Sequence, residues 1–385
     1  MATEKPYCTA PWTGLIVKET GDIGTCCVGN TILGNIKSKS IIDILQSPKL
    51  EKIKKDLLDN KPNSNCQACY NLERTNRLAT LKNHFNLHYP NLDKGLQYLD
   101  LRWNNLCNLN CVYCGPGPSS TWADKLFPNK IKTLKNTYDS ELEEWVLSKS
   151  KQIHELILIG GEPLLMKQNI SLLQKIPDHA RVSVITNLSY NLATNPCAKI
   201  LFERPADNTL WNISVENYGE KFEYIRTGAE WTQFRNNVEL LVKRAPNTVT
   251  LASVYGIFSA LNLFDTVKTY YSIGIKKIQI GMIMENPALD VFNFPITLLK
   301  IARDQLQQVL EWQKETFGAD YELYKCNDIE TLLTKLDELV YNNSHKIISK
   351  SNFVTEIEKY DRWTKQKFSE LWADEYNLIL KELHD

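Results

Sequence analysis

The sequence predicts an α/β fold: a partial (β/α)6 TIM-like barrel, a small cysteine-rich domain in front of it and a helical extension behind. Three observations predict it. From about residue 95, six apolar runs of strand length alternate with helical patterns. Eight of the ten cysteines crowd into the first third of the chain, at 8, 26, 27, 66, 69, 107, 111 and 114. Past residue 291 only helical periodicity remains. At about 150 residues per domain, 385 residues allow two or three domains. The expected boundaries are 1–92, 93–290 and 291–385.

Residues 1–92 run from "PYCTAPWTGLIV" through the turn-like "KETGDIGTCC" to a helical stretch, Ile41 to Leu58, and the loop "DNKPNSNCQACYNLE". Such a unit buries too little apolar surface to stand without a metal or a staple. The strand runs that follow are 96–103, 155–161, 181–187, 210–216, 248–255 and 276–283. Buried-type strands alternating with helices imply parallel pairing through crossover connections. Polar stretches follow several of them ("CNLNC", "GGEP", "TNLS", "EN", "MENP"), at the strand ends where such a barrel carries its site. Six strands are fewer than a closed barrel needs, so the expected barrel is open. The C-terminal helices carry tryptophans and heptad-like spacing, which predicts a packing layer or a lid.

The 45 basic residues balance the 45 acidic ones, so no global field steers nucleic acid or anionic membrane to the protein. No basic patch suggests nucleic acid as a partner. The N-terminus lacks an apolar h-region and no run approaches the roughly 18 apolar residues of a spanning helix. The expectation is a cytoplasmic protein without a membrane partner. In a reducing compartment clustered cysteines signal metal ligands rather than disulfides. Cys197 and Cys326 stand apart and read as small buried hydrophobes, and the six histidines fall in no ligand pattern.

The stretch "CNLNCVYCGPG" sets Cys107, Cys111 and Cys114 in a C-x3-C-x2-C run with no fourth cysteine until Cys197. Pairing Cys66 and Cys69 with Cys111 and Cys114 as a zinc site would span 41 intervening residues and leave Cys107 unused. Three thiolates instead satisfy three irons of a [4Fe–4S] cube and leave the fourth open.

These residues resemble the radical S-adenosylmethionine (SAM) superfamily, whose hallmark is C-x3-C-x2-C with an aromatic before the last cysteine, here Tyr113. The resemblance covers roughly residues 95–290. It implies that SAM chelates the open iron and is cleaved reductively to a 5′-deoxyadenosyl radical that abstracts a substrate hydrogen. Gly160, Gly161 and Glu162, with Pro163, match the GGEP motif that receives the SAM ammonium. Thr186 and Asn187 stand where relatives have a TNG-like motif, with Leu188 in place of the glycine; Asn187 either contacts SAM or turns the chain. Ser214, Glu216 and Asn217 resemble the pattern that meets the SAM ribose, departing from it at Glu216 and Asn217. Arg226 matches an arginine able to pair with the SAM carboxylate, a solvated surface arginine being the other reading. "IQIGMIMENP" resembles the sixth-strand motif loosely. In "SSTW", Ser119 or Ser120 reads as a helix N-cap, with a cluster-side role as the alternative.

The first segment resembles the twitch domain, a shortened SPASM domain. That resemblance implies an auxiliary [4Fe–4S] cluster on Cys8, Cys26, Cys66 and Cys69, with adjacent Cys27 competing for the place of Cys26 and zinc as the rival metal. The family implies an oxidoreductase or peptide-modifying enzyme: oxidation of a peptide with the auxiliary cluster as electron relay, or dehydrogenation of a small molecule such as a sugar. Its partners would be that substrate and a reductase or a flavodoxin- or ferredoxin-type electron donor. A non-catalytic iron–sulfur or zinc protein on a degenerate barrel is the rival class.

Overall fold

The computed structural model describes residues 7–74, 80–127, 140–282, 286–342 and 346–385. His345 and residues 283–285 of the sixth-strand stretch lie outside them. All six expected strands form: β4 (Tyr98–Leu101), β5 (Glu155–Leu158), β6 (Arg181–Thr186), β7 (Thr209–Ser214), β8 (Val249–Tyr255) and β9 (Lys277–Met282). Three short strands precede them, β1 (Gly14–Val17), β2 (Asp22–Gly24) and β3 (Gly34–Asn35). The chain divides into two compact units, residues 1–108, 114–186 and 193–210 in one and 109–113, 187–192 and 211–385 in the other.

In the first unit the strands run β3-β2-β1-β4-β5-β6. β1, β4, β5 and β6 are parallel, and β2 and β3 fold back antiparallel. The cysteine-rich segment therefore adds strands to the sheet: β1 pairs with β4 from Gly14–Tyr98 to Val17–Leu101. The helical stretch after it is two helices, Ile41–Leu45 and Pro48–Leu58, because Ser47 caps a new helix with proline at its first position.

β7, β8 and β9 are parallel in the second unit. Alternation along β8 is strict: Val249, Leu251, Ser253 and Tyr255 are buried while Thr250, Ala252 and Val254 are half-buried. β7 alternates likewise. One face packs while the other stays partly open, so these strands are not the doubly buried kind that their composition predicts. The C-terminal helices form the packing layer: helix Ile296–Phe317 buries Leu298, Leu299, Ala302, Leu306 and Val309, and Tyr255 donates to the Ala302 carbonyl at 3.2 Å. Asp361 accepts from Tyr224 Oη and the Phe368 backbone N–H, both at 2.8 Å. No helix is long and apolar enough to cross a membrane among the described residues.

At the start of β5, half-buried Glu155 accepts hydrogen bonds from Tyr89 Oη and from His84 Nε2 at 3.1 Å. Burial pushes its carboxyl up, but the bonds from His84 and Tyr89 and the nearby Arg181 bring it below the usual range. A depressed folded pKa stabilises above the unfolded value, near 4.3, and that contribution disappears as pH falls through the folded one. Glu155→Gln should therefore lower stability by about 1–2 kcal/mol at pH 7, and the difference should shrink as pH falls through the lowered folded pKa in urea titrations run across pH.

Candidate functional site

β4 ends at Leu101, and the chain turns through Asn104–Leu106 into the three cysteines. The turn is locked to the "GGEP" turn after β5. Glu162 N–H donates to the Leu106 carbonyl at 2.7 Å. A Cβ on Gly161 would lie 2.2 Å from that same oxygen, and one on Gly160, at φ +110°, would press on Arg102 and Asn104. Only glycines let the two backbones approach this closely. The Glu162 side chain is fully buried and turned inward; its Oε1 accepts from the Leu164 N–H at 3.1 Å and Thr186 Oγ1 at 2.7 Å.

Two polar residues that the sequence reading missed complete this lock. Asn169 accepts from Trp103 Nε1 at 2.8 Å and donates to the Pro163 carbonyl at 2.9 Å, joining the end of β4 to the "GGEP" turn. The side chain of buried Asn105 donates to the Pro116 carbonyl at 3.1 Å, and its backbone carbonyl accepts from the Ser120 N–H at 2.7 Å. Ser119 is the N-cap of helix Ser120–Leu126, as expected. Ser120 instead accepts from the Cys107 N–H at 3.1 Å and donates to the Cys107 carbonyl at 3.2 Å. A lone asparagine or serine carries no spacing signal, so these roles emerge only in three dimensions.

Cys107 and Cys114 group with the first unit, and Cys111 with the second. In the second unit the cysteine loop is hydrogen-bonded through Asn110 N–H to the Thr227 carbonyl (3.0 Å) and Val112 N–H to the Ile225 carbonyl (2.9 Å). Arg226, between those two carbonyls, is buried. Its Nε donates to Glu216 at 2.8 Å, its NH2 group donates to the other oxygen of Glu216, and its NH1 group donates to Cys111 Sγ at 3.6 Å. The solvated-surface reading of Arg226 therefore does not hold. Burial pushes the Glu216 carboxyl above the usual range, with Arg226 opposing. The Tyr113 ring meets Phe258 edge-on, and its hydroxyl is buried without a hydrogen-bond partner among the described residues. Asn217 is buried, donating to the Phe258 carbonyl at 2.9 Å. Ser214 is half-buried at the end of β7. Asn187 forms a turn, its Oδ1 accepting from the Ser189 N–H at 3.0 Å and Oγ at 2.6 Å, and Leu188 sits at φ 53°, the left-handed region that glycine occupies readily.

The N-terminal cysteines also converge. Cys8, Cys26, Cys66 and Cys69 line one cavity with Ala10, Val28, Leu81, Lys82 and Phe85. Cys27 is exposed and outside that lining; its charged neighbours are Asp100 and Arg102. Asn65, one residue before Cys66, braces the loop of Cys26 by accepting from the Thr31 N–H at 2.8 Å. Burial pushes the Cys8 and Cys26 thiols up to about 12, and neighbouring cysteines add to the shift. Thiolates here need a cationic centre to be stable. No three His, Cys, Asp or Glu side chains converge on a single-ion position among the described residues. Four thiols bordering one cavity form a donor set that fits an iron–sulfur cube.

The radical SAM superfamily profile matches residues 102–258, and the SPASM profile, an iron–sulfur cluster-binding domain, matches residues 8–70. The chain is a radical SAM protein with a SPASM-like domain. This membership implies SAM, the [4Fe–4S] cluster that binds it and an auxiliary iron–sulfur cluster. Among curated proteins, this radical SAM chain is 29% identical over 181 residues to GTP 3′,8-cyclase of Psychromonas ingrahamii, covering 46% of the chain and 48% of the relative. It is 36% identical over 81 residues to 7-carboxy-7-deazaguanine synthase of Archaeoglobus fulgidus, covering 21% and 34%. The matched stretch thus spans about half, or less, of these relatives. Among solved structures, native anSMEcpe with bound AdoMet aligns at a TM-score of 0.40 with 16% identity, covering 56% of this chain and 60% of that one. SuiB of Streptococcus suis bound to S-adenosylmethionine aligns at 0.41 with 14% identity, covering 71% and 61%.

Gly161→Ala should force Leu106 and the following Cys107 out of place, at a cost of about 1–3 kcal/mol. Thermal denaturation and iron content after anaerobic reconstitution should both fall. Gly117→Ala, where a Cβ meets open space, should change neither.

Proposed function

We propose that this protein is an enzyme that holds a SAM-binding [4Fe–4S] cluster on Cys107, Cys111 and Cys114 and carries out an oxidative modification of a peptide. The lock between the cysteine loop and the "GGEP" turn supports the cluster assignment, because it fixes the backbone leading into Cys107 against that turn. When bound, the cluster supplies the electron that cleaves SAM and so generates the radical that abstracts substrate hydrogen. The chain's own contribution is placement. Glu162, held by Leu164 and Thr186, keeps the turn in shape. Glu216 holds Arg226 by two nitrogens, so that its remaining amino group meets Cys111. Tyr113, Gly160, Gly161, Asn187 and Ser214 complete the set of residues assigned to SAM.

Cys8, Cys26, Cys66 and Cys69 are assigned to the auxiliary cluster, within an auxiliary-cluster domain at 1–92 that precedes a barrel domain at 93–290 and a helical region at 291–385. The cavity they line supports Cys26 over Cys27. An auxiliary cluster suits a reaction that removes an electron from the substrate, and a flavodoxin- or ferredoxin-type protein suits its supply. Peptide chemistry agrees with the name of one structural neighbour, SuiB bound to the precursor peptide SuiA. Small-molecule dehydrogenation is the second reading. The printed names of the curated relatives favour it, since they refer to GTP and a deazaguanine.

Reconstituted, chemically reduced protein should form 5′-deoxyadenosine from SAM, and a variant with Cys107, Cys111 and Cys114 all changed to Ala should fall to background. Absence of the product from wild type holding both clusters and SAM, with peptides, GTP and sugars each supplied, would sink the enzyme reading. Separately, Cys26→Ser should lose about half of the bound iron while Cys27→Ser keeps it, as iron and sulfide assays would report.

A further inference from the structure

Lys82 is the charged residue in the lining of the four-cysteine cavity among the described residues. It is 5% exposed, at the first turn of helix Leu81–His88, and its Nζ donates to Glu73 Oε2 at 2.7 Å. The Glu73 side chain is 8% exposed. Its other oxygen accepts from Thr80 Oγ1 at 3.2 Å, and Thr80 is the N-cap of the helix that carries Lys82. Glu73 lies on helix Gln67–Arg74, four residues past Cys69 and so on the same face. The helix that supplies Cys69 thus also supplies the carboxylate that anchors the ammonium at the cavity wall.

Burying an ion pair is costly, and a hydrophobic pair of similar volume would often stabilise as well or better. Its place beside four thiols supplies a reason for the pair. A cube ligated by four thiolates is doubly negative when oxidised and triply negative when reduced. A fixed cation at the wall therefore favours the reduced state, and a fixed anion disfavours it. We propose that Lys82 and Glu73 together set the reduction potential of the auxiliary cluster: Lys82 raises it, and Glu73 both anchors Lys82 and moderates its effect. The proposal rests on the auxiliary-cluster reading above and assigns neither residue as a ligand.

The test is an EPR-monitored redox titration of full-length, anaerobically reconstituted protein, run with and without SAM. The signal that SAM leaves unchanged reports the auxiliary cluster. Lys82→Met should move its midpoint to lower potential, Glu73→Gln should move it to higher potential, and Lys82→Arg should leave it near wild type. The midpoint of the SAM-responsive signal should stay put in all three. An unshifted midpoint in Lys82→Met at wild-type iron and sulfide content would overturn the proposal, as would a downward shift in Glu73→Gln. If Lys82→Met fails to load, the sign of the Glu73→Gln shift decides. Wild type with iron for a single cluster and no SAM-insensitive signal would instead overturn the auxiliary-cluster reading, and the proposal with it.

Discussion

The hydrogen bond from Glu162 N–H to the Leu106 carbonyl, with the missing Cβ of Gly161 beside it, is the constraint on which the rest of the first unit's site depends. Two loops that follow neighbouring parallel strands are pressed together until no side chain fits between their backbones. Everything around this contact keeps it in register. Asn169 ties Trp103 to Pro163, Ser120 clamps both backbone groups of Cys107, and Glu162 Oε1 joins its own turn to Thr186 at the end of β6. The cysteine loop is thereby held by hydrogen bonds from the chain's own backbone and side chains.

The second unit answers with electrostatics. A fully buried carboxylate and a buried guanidinium are tolerable because each satisfies the other, and their geometry leaves one amino group over for a cysteine sulfur. A like pairing recurs at the N-terminal cavity, where Lys82 meets Glu73 beside four thiols. In both places an ion pair is buried next to cysteine sulfur.

Much of this was legible in the sequence, for identifiable reasons. The six strands are apolar runs bounded by turn residues, and the triad and "GGEP" are rigid spacings that few other chemistries need. β1 was not legible, since four residues of "GLIV" inside a cysteine-rich segment show no period long enough to call. Nor were Asn65, Asn105 and Asn169, single amides whose partners lie at sequence distances the eye cannot guess. Arg226 was visible as a residue, but its partner Glu216 and its reach to Cys111 depend on how strand, helix and loop meet. The choice between Cys26 and Cys27 was a matter of which way one backbone turn faces, a question that two adjacent identical letters cannot answer.

The parallel pairing of β1 with β4 has a mechanical consequence. β1 begins six residues after Cys8, and β4 ends six residues before Cys107. The strand that follows Cys8 and the strand that precedes Cys107 are thus adjoining rails of one ladder, coupled by its hydrogen bonds. Sliding one rail past the other means breaking the ladder's hydrogen bonds together and unpacking Leu15, Ile16 and Val17, which are buried on both faces of β1. The segments that flank the two cysteines are therefore held in register by the sheet rather than by the long stretch of sequence that separates them.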